Sequence, residues 1–226
     1  MAKTVESLFY WLTFVSDFLV IVLFLFFLCR TRKYNSVWII PIYTLINLSI
    51  NASLELLPLK NVFYIYTSFT FIEYFSFTAF IYSLVKNTVF KKVILFSSAA
   101  FTLFLPVYFT YFEQAVSIDS IPIGLETLFI LFFCSYYFYE QMNDLENHYI
   151  YNRYHFWIII GILLYLAGSF FIYIFANHVD KQTRSQFWFL TYFFYVVKNL
   201  FFLIGLMNYN KSAKSLSRKN LYPYLN

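Results

Sequence analysis

Seven apolar stretches, each close to the ~20 residues that a helix needs to cross the hydrocarbon core of a bilayer, take up most of this 226-residue chain. They cover roughly 8–29, 36–57, 62–85, 93–112, 121–139, 155–176 and 187–207. Backbone groups in lipid must be satisfied within the chain, so segments of this length fold as spanning helices packed side by side. The expected fold class is an all-α membrane protein: a seven-transmembrane-helix bundle over 1–210, then a basic cytoplasmic tail over 211–226. Only 12% of the residues are charged, about half the fraction of a soluble domain. The first stretch reads as a mature helix, not a leader: "MAKTVES" is weakly basic, the apolar run is long, and "CRTRK" follows it.

Lysine and arginine set the expected orientation. The odd-numbered connections and the tail carry Arg30, Arg32, Lys33, Lys86, Lys91, Lys92, Arg153, Lys211, Lys214, Arg218 and Lys219, whereas the opposite side carries Lys3, Lys60, Lys181 and Arg184. That asymmetry places the N-terminus outside and the C-terminus in the cytoplasm. The net charge of +5 is thus a topology signal and speaks against a nucleic-acid partner. The tail "KSAKSLSRKN" reads as a stop-and-orient signal, with contact to anionic headgroups as its alternative.

Charges inside a membrane are costly, so they mark where function is to be sought. They are Asp17, Glu55, Glu73, Glu126 and Lys198. On the second helix Thr44, Asn47, Asn51 and Glu55 share one face by spacing; on the third, Tyr66, Thr70, Glu73 and Tyr74 do so. The seventh adds Thr191, Tyr195, Lys198 and Asn199. Three such stripes converge on an internal polar site. Burying either charge alone costs several kcal/mol, so the expected contact is a Glu73–Lys198 ion pair, with Asp17 as a third member or paired with Asn or Tyr side chains. Whether this pair serves a ligand or only locks helix 3 to helix 7 stays open at this point.

Glu55 and Glu126 are expected at the outer mouth. For Glu126 a plain charge in the first turn of its helix, favoured by the dipole, is the alternative. Gly161 and Gly168 mark a close-packing face. "YYFY" (136–139) fits an interfacial belt, and Pro106 should kink the fourth helix. Asn47-Leu-Ser and Asn51-Ala-Ser match the glycosylation pattern but fall inside spans. The chain holds no zinc spacing, catalytic triad, phosphate loop or dinucleotide fingerprint, and Cys29 and Cys134 form no disulfide framework. No metal ligand set is expected. Glu140, Asp144, Glu146, His148 and His155 in the 140–155 connection fit a solvated inner loop better than a catalytic cluster.

Three stretches, "ETLFILFFCSYYFYEQM" (126–142), "FWIIIGILLYLAGSFFIYIF" (156–175) and "FWFLTYFFYVVKNLFF" (187–202), with "IEY" (72–74), resemble a family of uncharacterised bacterial seven-helix membrane proteins of the Bacteroidota type. The resemblance implies a multi-pass protein of the bacterial inner membrane and brings no established activity. A lysine midway along helix 7 is also distantly similar to the retinal-binding microbial rhodopsins, where it would imply a Schiff base on Lys198 with Glu73 as counter-ion. Phe194 stands where that family often has Asp, and the helix 3 and helix 6 patterns differ.

The leading expectation is a receptor-like, non-enzymatic sensor with no cofactor, binding a small molecule or lipid and acting through a separate cytoplasmic or membrane partner. Lys198 and Glu73 would supply charge, with Asn47, Asn51 and Tyr195 as hydrogen-bonding walls. A small-solute or ion-coupled transporter is the alternative, with helices 1–3 and 5–7 as parallel repeats; a retinal-type protein and a lipid-modifying enzyme stand below it.

Overall fold

The computed structural model describes residues 2–28, 36–56, 62–112, 120–143, 150–175, 178–179, 183 and 186–221. Among them each long apolar run is an α-helix, and no strand occurs. The seven helices are α1 (Ala2–Leu28), α2 (Ile39–Leu56), α3 (Val62–Leu84), α4 (Thr88–Phe112), α5 (Ser120–Met142), α6 (Tyr154–Phe175) and α7 (Phe189–Leu221). Six of them are long and apolar enough to cross a membrane, which fits a multi-pass integral membrane protein. The exception is α3. Glu73 stands in it among tyrosines, threonines and serines, and it packs against α2, α4 and α5.

Local chemistry explains several helix ends. A 3-10 turn, Ser36–Trp38, leads into α2, and Pro41 sits in the first turn, where its missing N–H costs nothing. Asn87 caps α4: its Oδ1 accepts from the amides of Val89 at 2.8 Å and Phe90 at 3.3 Å. Glu140, near the end of α5, accepts from the amides of Lys86 and Asn87 at 2.9 and 2.7 Å. The tight α3–α4 connection is thereby tied to α5. Pro106 lies within α4, which continues to Phe112. The last helix runs on to Leu221, so residues 211–221 of the expected tail prolong α7.

Helix neighbours follow the order α1, α2, α3, α5, α6, α7 and back to α1, a closed ring of six. The fourth helix packs against α3 and α5 outside that ring. The closest approach is between α6 and α7. A Cβ on Gly161 would lie 2.7 Å from the Cβ of Phe201 and 3.1 Å from the Lys198 carbonyl oxygen. Gly205 faces Ile158 and the Tyr154 carbonyl just as closely. Small residues here let the two backbones touch, and that touch sets where Lys198 enters the ring. The outward faces carry large apolar side chains such as Trp11, Phe18, Phe96, Leu103, Phe132 and Phe171, a surface suited to lipid and not to water.

Candidate functional site

The ring encloses a polar centre. Asp17 of α1, Asn47 of α2, Glu73 of α3, Glu126 of α5, Ser169 of α6 and Lys198 and Asn199 of α7 are all buried. Lys198 is fully so, at 0% exposure. Isolated ions in such surroundings would be prohibitively costly, so the arrangement of partners decides what this centre is.

Around Lys198 two limbs meet. In the first, Nζ donates to the Tyr43 hydroxyl at 2.8 Å, and that hydroxyl donates to Glu73 Oε1 at 2.6 Å. Glu73 Oε2 accepts from the Tyr165 hydroxyl at 3.3 Å. The expected ion pair is therefore bridged: a phenol stands between ammonium and carboxylate, where a direct contact was anticipated. In the second limb the Tyr195 hydroxyl donates to Asp17 Oδ1 and Oδ2 at 2.8 and 3.1 Å, and accepts from the Asn47 amide. The Asn199 amide donates to Asp17 Oδ1 and to Ser16 Oγ, both at 2.8 Å. Asp17 thus pairs with tyrosine and asparagine, one of its two anticipated settings.

The limbs join through the lysine itself. Nζ lies 3.7 Å from the centroid of Tyr195, 4.5 Å from Tyr165 and 4.7 Å from Tyr43, with Phe77 and Phe202 at 5.7 and 5.8 Å. These rings form an aromatic cage. A desolvated cation over such faces gains ~2 kcal/mol or more from a good ring, which compensates in part for lost hydration. Each tyrosine has two roles: Tyr43 and Tyr165 turn their hydroxyls to Glu73, Tyr195 turns its own to Asp17, and all three turn their faces to the ammonium. One cation is consequently shared by two carboxylates, each screened from it by a phenol.

Not every residue on the predicted stripes joins this network. Thr44 and Thr191 donate to carbonyls of the preceding turn, at 2.8 Å to Ile40 and 2.7 Å to Trp188, as helical threonines commonly do. The Tyr74 hydroxyl meets Ser98 of α4 at 3.1 Å, so it faces out of the ring. Asn51 donates to Asn47 Oδ1 at 3.5 Å and is half-buried, marking the least enclosed end of the network. The side chains of Glu55 and Tyr66 lie outside the described residues.

Glu126 is not a first-turn charge. Because α5 begins at Ser120, this residue lies beyond the first turn, and it is 2% exposed. Its Oε1 has no hydrogen-bond partner; among the described residues Thr78 Oγ1 and Asn199 Oδ1 share that condition. In the 140–155 segment, His155 at the start of α6 hydrogen-bonds the Tyr137 hydroxyl, Glu140 near the end of α5 serves the α3–α4 turn, and Asp144, Glu146 and His148 lie outside the described residues. Among the described residues no group of His, Cys, Asp and Glu is placed to hold a metal.

Tyr43, Tyr165, Phe77, Phe202 and Ser16 are members of the site that sequence reasoning did not single out. Tyr43 had a signal, since it lies one helical turn before Asn47 on the same face. In a chain with 22 tyrosines and 32 phenylalanines, one more ring at a helical position is not distinctive. No family model matches the chain, and no curated protein or solved structure is significantly similar to it.

Proposed function

We propose that this protein is a receptor-like sensor of the bacterial inner membrane, spanning it seven times with its N-terminus outside and its C-terminus in the cytoplasm. In this reading α3 also crosses, its polar side turned into the ring and its apolar side toward neighbouring helices. The observation that carries the reading is the continuous polar network that draws on α1, α2, α3, α6 and α7 around a single ammonium. A network tied to five helices is a two-state element in waiting: whatever displaces one tyrosine hydroxyl takes a partner from one carboxylate and moves a ring of the cage that seats Lys198 on α7. A small molecule or lipid headgroup approaching from Asn51 meets Asn47 first, then Tyr195, then the lysine. The response is passed to a separate cytoplasmic or membrane partner.

Thermal stability in lipid nanodiscs tests this reading. A panel of phospholipids, fatty acids and small amines is compared on wild type and on the paired Glu73→Gln/Lys198→Met variant. A ligand of the site raises the melting temperature of the first and leaves the second unmoved. Equal shifts in both proteins refute the assignment.

One feature favours the transporter alternative. With α4 outside the ring, α1–α3 and α5–α7 form two three-helix groups joined by the odd helix, and Glu73 and Lys198 occupy the last helix of each. Solute uptake by proteoliposomes that follows a pH or ion gradient would establish transport and displace the sensor reading.

A further inference from the structure

One buried oxygen of the polar network has nothing to accept from. Asn199 is fully buried, and its amide nitrogen donates to Asp17 Oδ1 and to Ser16 Oγ, both at 2.8 Å. Its Oδ1 has no partner among the described residues. Turning the amide over would set that oxygen against the Asp17 carboxylate, so these hydrogen bonds fix which end of the amide meets α1. Asp17 is itself fully buried, and its donors are neutral: the Tyr195 hydroxyl at 2.8 and 3.1 Å and the Asn199 amide. Lys198 donates to Tyr43, on the Glu73 side, and meets the Asp17 side through the face of Tyr195, 3.7 Å from the ring centroid. Asp17 and Glu73 thus stand against one lysine, which leaves one negative charge in excess. A buried charge without a countercharge is costly, and so is a buried carbonyl without a donor. A water molecule would satisfy the oxygen and leave the charge. A cation satisfies both.

We propose that Asp17 and Asn199 form a binding site for a monovalent alkali cation where α1 packs against α7. The donor chemistry selects that class. The Asp17 carboxylate and Asn199 Oδ1, with Ser16 Oγ beside them, are hard oxygen groups without nitrogen or sulfur, which disfavours transition metals. One carboxylate balances one charge, whereas a calcium site gathers several oxygens of higher total charge. The same chemistry extends toward the least enclosed end of the network. There Asn51, half-buried, donates to Asn47 Oδ1 at a long 3.5 Å, and Asn47 donates in turn to the Tyr195 hydroxyl. A cation seated here joins Asp17 and Ser16 of α1 to Asn199, the neighbour of Lys198 on α7, so its occupancy is linked to the seating of the lysine. The site goes beyond the sensor reading and does not depend on it: the cation binds whether or not a second ligand reaches Lys198.

Equilibrium binding of 22Na+, and of 86Rb+ as a tracer for potassium, to the full-length protein in nanodiscs tests the site, with N-methyl-D-glucamine chloride holding the ionic strength constant. Wild type should bind one of these ions saturably, and folded Asp17→Asn and Asn199→Ala should weaken that binding about tenfold or more. Infrared difference spectra of the wild type keep the test decisive if neither variant folds: adding the bound ion should shift a carboxylate stretch that moves when aspartate carries 13C at its side-chain carboxyl. No saturable binding of either ion, full affinity in folded Asp17→Asn, or an ion-induced band that ignores aspartate labelling overturns the proposal. Stabilisation by protons without any response to sodium or potassium also overturns it, and assigns the excess charge to a carboxylic acid. Lipid and amine stabilisation is measured separately. Its failure with cation binding intact refutes the sensor reading alone, and loss of cation binding with that stabilisation intact refutes the cation site alone.

Discussion

Replacing Tyr43 with phenylalanine deletes one atom and isolates the bridge. The ring over which Lys198 lies at 4.7 Å is retained, while the oxygen that accepts from Nζ at 2.8 Å and donates to Glu73 at 2.6 Å is lost. Hydrogen bonds to charged groups are each worth ~1.5–3 kcal/mol net, so two of them set an upper bound of about 6 kcal/mol. Glu73 keeps Tyr165, at 3.3 Å, and the ammonium keeps its cage, which reduces the expected loss to about 3 kcal/mol. Unfolding in SDS, followed by helical circular dichroism, measures it. Tyr165→Phe removes a single longer bond and should cost about 1 kcal/mol. In the Glu73→Gln/Lys198→Met background the Tyr43 hydroxyl meets neutral groups, and its removal should cost ~1 kcal/mol, leaving a coupling of about 2 kcal/mol. A Tyr43→Phe cost that is the same in both backgrounds, or within ~0.5 kcal/mol of zero, would refute the bridged geometry.

Three further outcomes are expected. Gly161→Ala drives a methyl against the Phe201 Cβ at 2.7 Å and the Lys198 carbonyl at 3.1 Å, both near backbone. It should destabilise by ~1–3 kcal/mol, while Gly124→Ala, with Ile174 at an ordinary 3.6 Å, should be close to neutral in the same SDS titration. Asp17→Asn leaves Tyr195 and Asn199 with a weaker acceptor, and a loss of about 1–3 kcal/mol is expected by that titration. Lys198 Nζ is engaged by Tyr43 and packed among five rings, so the purified protein should show no visible absorbance band. A band bleached by hydroxylamine would instead establish a Schiff base on this lysine.

The legible and illegible parts of this protein have different physical origins. Apolar run length determines where helices form, and all seven runs are helical; their ends differ by a few residues where caps and turns intervene, as at Asn87 and Ser36–Trp38. The interior charges could also be found from sequence, because a charge amid apolar residues has few tolerable settings. Asp17, Glu73, Asn47, Tyr195, Lys198 and Asn199 do meet in one network. Charge alone does not reveal what stands between Lys198 and Glu73, since a phenol can bridge as readily as a direct pair can form. Helical spacing likewise gives a face but not its neighbour, which is why Tyr74 lies against α4 when its stripe points to the ring. The position of α4 outside the ring depends on packing between distant segments, which no local pattern encodes.

The central proposal, that the network around Lys198 receives a ligand and does not merely fasten α3 to α7, is tested most directly by native mass spectrometry of the protein released from its own membrane. Wild type should retain a discrete small-molecule or lipid adduct that the folded Glu73→Gln/Lys198→Met variant lacks. The same adduct, at the same occupancy, on both proteins would contradict the proposal and leave the network as a structural lock.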